Sequence, residues 1–171
     1  MFKKILLIFF IIFGVNTCGF AGVFDNPKKL EEIAPNLPEF SSIKCKFEQE
    51  KTMPNSQMVL KSSGDFEFIK GEGIIFKTTF PIESTTSYNS TEYKQINDIV
   101  NAISNKNYGK IEAVFDFYFD KVGDKWTLGL VPKKSKQVAK YLKSIEIEGI
   151  NDISKMKITT QNSVVTSIKF F

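Results

Sequence analysis

The chain has 171 residues, with 23 lysine or arginine residues, 19 aspartate or glutamate residues and no histidine. Without histidine, Ser-His-Asp and Cys-His catalytic arrangements cannot form, and the usual zinc and copper sites lose their commonest ligand. Every basic side chain is lysine, so the planar guanidinium fork that grips phosphates and bases bidentately is absent. The composition predicts a protein that is not an enzyme, does not bind nucleic acid, and needs no metal or cofactor.

The first 21 residues have the pattern of a secretory signal peptide. Lys3 and Lys4 precede an apolar run over residues 5–15, which is too short to span a bilayer. The small residues Gly19 and Ala21 occupy the two positions that a signal peptidase inspects before the bond it cleaves. We therefore predict cleavage after Ala21, a periplasmic location, and one domain over residues 22–171.

An alternative is that Cys18 becomes the lipidated first residue of a lipoprotein, because V-N-T-C ends there. Asn16 and Thr17 suit that processing poorly, since it favours small apolar side chains before the cysteine. Soluble export is therefore the preferred interpretation, and lipid anchorage at Cys18 stays the alternative. After cleavage only Cys45 remains, so an intrachain disulfide cannot form, and its alternating position predicts a buried apolar role.

The N-terminal half predicts a short helix and then strands. Residues 25–33 predict the helix, since Asp25 can cap it, Pro27 suits its first turn and Pro35 stops it. From Ser42 apolar and charged residues alternate, as in a half-buried antiparallel strand. The apolar positions that define four strands are Ile43, Cys45 and Phe47, then Met58 and Leu60, then Phe66 and Phe68, then Ile74 and Phe76. The predicted turns are Pro54-Asn55, Ser63-Gly64 and Gly71-Glu72-Gly73.

The second half predicts further strands around two helices. Ile96, Ile99, Val100 and Ile103 are spaced as one apolar stripe of a helix. A second helix is predicted over residues 132–143, where Val138, Tyr141 and Leu142 have helical spacing. The predicted strands cover residues 85–88, 92–95, 114–120, 126–130, 144–148, 155–160 and 163–171. Together these elements predict a mainly β, α+β fold with one antiparallel sheet of about ten strands. A sheet of that size must curl, and about three short helices are expected over its concave face.

Two blocks of this sequence resemble the LolA/LolB family of periplasmic lipoprotein carriers and receptors. The first block, over residues 40–81, contains the F-x-Q element of Phe47 and Gln49, the S-G-D-F sequence that ends at Phe66, and the I-I-F run that precedes Pro81 by five residues. The second block is W-T-L-G-L-V-P-K, from Trp126 onward. Their order and spacing cover about two thirds of the mature chain.

The resemblance implies a half-open barrel of about ten strands closed by a lid of short helices. It also implies a periplasmic chaperone that shields the acyl chains of lipoproteins and delivers them from the inner to the outer membrane. The implied partners are acylated lipoproteins or other lipids, an inner-membrane lipoprotein-releasing ABC transporter and an outer-membrane acceptor. The protein is expected to be a monomer.

The resemblance also points to site residues. The carrier branch has an arginine in the turn where this chain has Lys70, and that arginine holds the lid shut, so Lys70 is the lid-locking candidate. Acyl chains are expected against apolar residues that face inward on several strands. These are Phe47, Phe66, Phe68, Ile74, Phe76, Phe117 and Leu128.

Three other functions stay open from the sequence. One is a LolB-like acceptor anchored at Cys18, another is a carrier of a different lipid such as a glycolipid, and the third is a periplasmic scaffold that binds protein. An enzyme comes last. Asp116 and Asp120 share a strand face at about 13 Å, from 3.3 Å per residue, whereas glycosidase carboxylates are about 5 to 9.5 Å apart.

Overall fold

A computed structural model describes residues 22–39, 42–56, 58–87 and 94–171, and it confirms a mainly β chain. Ten antiparallel strands form one sheet in the order β1-β6-β7-β8-β9-β10-β2-β3-β4-β5. Within the described residues the edge strands β1 and β5 do not pair with each other, so the sheet is open. The strands are β1 Pro27–Lys28, β2 Ser42–Thr52, β3 Val59–Ile69, β4 Gly73–Phe80, β5 Ser84–Ser87, β6 Phe115–Val122, β7 Lys125–Pro132, β8 Leu142–Gly149, β9 Ile153–Thr160 and β10 Val165–Phe170.

The described helices are short. The α-helices are α1 Leu30–Ile33, α2 Lys94–Ser104 and α3 Gly109–Glu112, and 3-10 turns lie at Val23–Asp25, Ala34–Asn36 and Gln137–Lys140. Helix α2 confirms the apolar stripe that the sequence predicts, because its four isoleucine and valine residues are all buried.

Alternation along the strands divides the sheet into two faces. We call the apolar side the inner face, and it carries residues such as Phe47 on β2, Leu128 on β7 and Ile168 on β10, all at most 2% exposed. The outer face is lined by cross-strand pairs of lysine and carboxylate, such as Lys61 and Glu50 at 2.9 Å. Such exposed pairs contribute about 1 kcal/mol or less each, so burial of the inner face is what stabilises the sheet.

Cys45 lies on the inner side of β2, as its alternation predicts, and its side chain packs against the core while staying partly exposed. Burial raises the pKa of its thiol above the ordinary value. A half-buried thiol with a raised pKa is a weak nucleophile, which agrees with a packing role.

The predicted turn at Ser63-Gly64 is wrong, and the described residues between 42 and 81 form three strands rather than four. β3 runs straight through these two residues, and the register with β4 shifts there, since Ser63 faces Phe80 whereas Gly64 faces Thr78. A side chain at Gly64 would meet the carbonyl oxygen of Lys77 at 2.0 Å. Glycine is therefore required by the close approach of the neighbouring strand and not by a turn.

The two helices predicted at residues 25–33 and 132–143 are also corrected. Pro27 begins the two-residue edge strand β1, which pairs with β6, and the helix begins only at Leu30. A proline is tolerated there because one side of an edge strand has no neighbouring strand, so the backbone N–H that proline lacks is not needed. In the second segment a single 3-10 turn forms, and Leu142 pairs with Thr160 as the start of β8.

Two smaller corrections concern the first half of the chain. Met58 and Leu60, which were predicted to face inward, are 59% and 50% exposed, because the inner face is covered only farther along β3. Of the predicted strand at residues 92–95, Lys94 and Gln95 belong to α2, and the other two residues lie outside the described part. Tyr88, at the end of the predicted strand 85–88, lies outside it as well.

Candidate functional site

The seven residues predicted to contact acyl chains all lie in one hydrophobic core. They come from five strands, β2, β3, β4, β6 and β7, and are between 0 and 5% exposed. Phe117 also borders a surface hollow of about 360 Å³ beside Leu30. The fold therefore brings the seven together on the inner face, while their contact with a lipid stays a prediction.

Three of the seven belong to an aromatic cluster with Phe170. The ring centroids of Phe47 and Phe76 are 5.0 Å apart and edge to face, and those of Phe66 and Phe76 are also 5.0 Å apart. Phe170 lies 4.6 Å from Phe66. Phe170 is not among the predicted site residues, although its alternation with Ile168 indicates the inner face. Such aromatic pairs add about 0.5–1.5 kcal/mol each beyond their buried area.

A helical cover, which we define as α2 and α3 with the turn between them, lies over the inner face. α2 packs against β4 and α3 against β6, and the two helices pack against each other. These strands stand near opposite ends of the strand order. The cover therefore reaches both halves of the sheet and closes the core from one side.

Polar contacts join this cover to the rest of the protein. The backbone N–H of Ile74 on β4 donates to Asn97 Oδ1 at 3.2 Å, and Asn101 Nδ2 donates to the same oxygen at 3.0 Å. Lys106, in the turn after α2, pairs with Glu39 at 2.5 Å. The hydrogen bond from Lys106 is the main reason why the pKa of Glu39 is lowered.

Two buried polar atoms of this region have no hydrogen-bond partner among the described residues. They are Asn101 Oδ1 on α2 and Tyr108 Oη just before α3. Burial raises the pKa of the Tyr108 phenol.

Lys70 lies exposed in the turn between β3 and β4. Glu39 pairs with Lys106 of the cover. The charge of Lys70 is the smallest of the causes that lower the pKa of Glu39. Among the described residues, the polar contact between that region of the sheet and the cover is made by Asn97 rather than by Lys70. A locking role for Lys70 stays a prediction.

Replacement of Asn97 by alanine is expected to loosen the cover. The N–H of Ile74, a residue that is 0% exposed, would lose its acceptor, and such a loss costs about 1–3 kcal/mol. Native-state hydrogen exchange should show faster exchange at Ile74 and along α2, with β8 and β9 unchanged. Asp98→Ala is the matched control, because Asp98 is exposed on the same helix. Equal exchange in the two variants would contradict the assignment of Asn97.

No protein-family model matches the chain, and no curated protein matches it in sequence. In the part of the chain that is described, no helix has the length and apolar character that a membrane crossing requires. The described side chains also contain no group of three or more carboxylates and cysteines arranged to hold a metal ion.

Proposed function

We propose that the protein is a periplasmic carrier that shields acyl chains, those of lipoproteins in the first place, between the inner face of its sheet and the helical cover. The observation that carries this proposal is the seven-residue apolar surface on five strands under the helical cover. That surface carries no charged side chain, so it suits a ligand that consists of hydrocarbon.

The energetics of acyl transfer agree with such a surface. Burial of a methylene group contributes about 0.8 kcal/mol, so a chain of ~16 carbons needs on the order of 10 kcal/mol to cross water. Leucine, isoleucine and phenylalanine side chains can supply that burial without directional bonds. Release to a better acceptor then requires only that the acceptor buries the chain more completely.

The finer shape that this function requires is a half-open barrel with the helices as its lid. Its support is the open sheet, whose edges β1 and β5 do not pair within the described residues, together with the position of α2 on β4 and of α3 on β6. A curled open sheet leaves a mouth that helices can close, as the resemblance to the LolA/LolB family implies.

Loading requires the cover to move, because the seven side chains are at most 5% exposed. The polar contacts that oppose it include the Asn97 acceptor, the exposed pair of Lys106 and Glu39, and the bond that Lys133 Nζ donates to the carbonyl oxygen of Glu112 at 2.8 Å. A cover held to the sheet by contacts of this kind suits a lid that opens to admit cargo and closes when empty.

One observation favours a second function. The tight enclosure of the inner face suits a filled core, and a protein with a filled core would use its sheet as a scaffold that binds other proteins. A LolB-like acceptor is the remaining alternative, and its deciding residue, Cys18, lies outside the described part of the chain. The cargo could also be another lipid, such as a glycolipid.

Mass spectrometry of the protein purified from its own cells tests these possibilities together. We expect a mature chain that begins at Gly22 and a native mass that includes bound lipid, which extraction removes. A lipidated Cys18, or metabolic labelling by palmitate, would place the protein in the acceptor branch. A chain without lipid that also takes up none from micelles would favour the scaffold.

Replacement of Lys70 by leucine is expected to leave cargo bound but poorly delivered, if the lysine has the role of the family's arginine. Transfer of a labelled lipoprotein to an acceptor is the measurement, and undelivered complex should accumulate in the variant. Lys70→Arg is the control, because it keeps the positive charge and introduces the planar guanidinium group of the family's arginine. Transfer by Lys70→Leu at the wild-type rate would show that Lys70 is only a solvated turn residue.

A further inference from the structure

Four lysines line one surface hollow at the end of β7. Lys134, Lys136, Lys140 and Lys143, here called the lysine cluster, surround a volume of about 610 Å³ between β7 and β8. All four are exposed. The sequence from residue 133 to residue 144 contains no aspartate or glutamate, so the cluster has no neighbouring carboxylate along the chain to balance its charge.

The lysine cluster differs from the lysines of the outer face. There, lysines pair with carboxylates across the strands, as Lys46 does with Asp65 at 2.5 Å and Lys125 with Glu148 at 2.6 Å. The ion pairs found within 4 Å among the described residues include none of the four cluster lysines. The cluster is therefore a concentration of unpaired positive charge.

The segment that carries the cluster is fixed to the sheet. Gln161, in the turn between β9 and β10, donates from Nε2 to the carbonyl oxygens of Ala139 at 3.0 Å and Leu142 at 3.2 Å. Its backbone N–H donates to the carbonyl of Tyr141 at 2.9 Å, and Val138 is buried beneath the turn. The lysines thus project from a held turn, and less entropy is lost when they bind a common surface.

Exposed apolar side chains lie on the same rim of the sheet. The start of β8 lies opposite the end of β9, and the start of β10 lies opposite the end of β2. The lysine cluster, the β2–β3 connection and the β4–β5 connection therefore share one rim. Met58 is 59% exposed, Leu60 50%, Phe80 56% and Ile82 76%.

We propose that this rim docks the protein on a membrane surface rich in anionic phospholipids. The lysine cluster would contact headgroup phosphates, and the exposed apolar side chains of the rim would enter the boundary between headgroups and acyl chains. A soluble phosphate would use only the lysines and would leave the exposed apolar residues without a role. The inference goes beyond the proposed function, because a protein with a filled core could dock in the same way.

The test is sedimentation of the full protein with vesicles of phosphatidylcholine alone or mixed equally with phosphatidylglycerol. We expect binding to the mixed vesicles that falls as salt rises. Joint replacement of the four cluster lysines by glutamine should weaken it about tenfold or more. The matched control replaces Lys28, Lys29, Lys110 and Lys121 by glutamine, since these are exposed and remove the same charge elsewhere.

Equal losses in the two glutamine variants would overturn the proposal, because net charge alone would then explain the binding. Equal binding to both kinds of vesicle would overturn it too, as would cluster-dependent binding of inorganic phosphate or an oligonucleotide without binding to vesicles. Ile82→Ser tests the apolar part, and we expect weaker binding with an unchanged dependence on salt. Thermal melting of each variant confirms that it is folded, and carrier activity is not needed for any of these measurements.

Discussion

Replacement of Phe76 by glutamate is expected to lower the free energy of unfolding by about 3 kcal/mol or more, and to abolish binding of an acyl probe. Phe76 is 2% exposed and its ring contacts both Phe47 and Phe66. Among the described residues the inner face offers no basic partner to a carboxylate there, so it either becomes neutral or destabilises the fold. Ile74→Glu, at a position that is 0% exposed, should behave in the same way.

The measurements are the melting temperature and the fluorescence of a fatty acyl probe. Thr85→Glu is the control, because it places the same charge on an exposed position of β5 and should change neither. A variant at Phe76 that keeps its melting temperature but loses the probe would show that this residue lines a wall of a cavity. A wild-type protein that never binds the probe would mean that the inner face is filled, and the scaffold would then be the better account.

The sequence predicts the inner face well because strand alternation is a local property. Hydrophobic residues two apart must share one side of a strand, so Phe66 with Phe68 and Ile74 with Phe76 could be assigned without knowledge of their neighbours. Helix α2 was predictable for the corresponding reason, since its isoleucine and valine residues recur at helical spacing. In both cases the signal lies within about two helical turns or a few strand residues.

The errors arise where a distant contact decides the local structure. Pro27 has the character of a helix start, but pairing with β6 draws it into an edge strand. Val138 and Leu142 have helical spacing, but Leu142 pairs with Thr160, which is eighteen positions away in the sequence. Tertiary pairing overrides such short helical signals, because an isolated helix of that length is marginal in water.

The contacts of the helical cover could not be predicted at all from the sequence. The acceptor for the N–H of Ile74 is the side chain of Asn97, 23 residues later, and nothing in the spacing of polar residues marks that pair. The resemblance to a known family instead directed attention to Lys70, which lies in the right turn but is exposed. The bonds of the cover depend on the side chains of this chain, and the resemblance does not predict them.

Replacement of Gly64 by alanine is expected to destabilise the protein by about 3 kcal/mol or more, through the backbone rather than the core. The added Cβ would lie 2.0 Å from the carbonyl oxygen of Lys77 and 2.9 Å from the Cα of Thr78. Both are main-chain atoms, so no side-chain rotation can relieve the contact, and β4 must move away from β3. Denaturant unfolding gives the change in free energy.

Gly109→Ala is the matched control, because an added methyl group there meets only a side-chain oxygen at 4.0 Å and the residue begins helix α3. Alanine favours the helix by up to about 1 kcal/mol, so this variant should be neutral or slightly stabilised. Comparable stabilities for the two variants would mean that β4 does not approach β3 at Gly64 as described. The register shift between Ser63 and Gly64 would then lose its physical reason, because a close approach of β4 at Gly64 leaves no room for a side chain and a shift of this kind increases the local twist of the sheet.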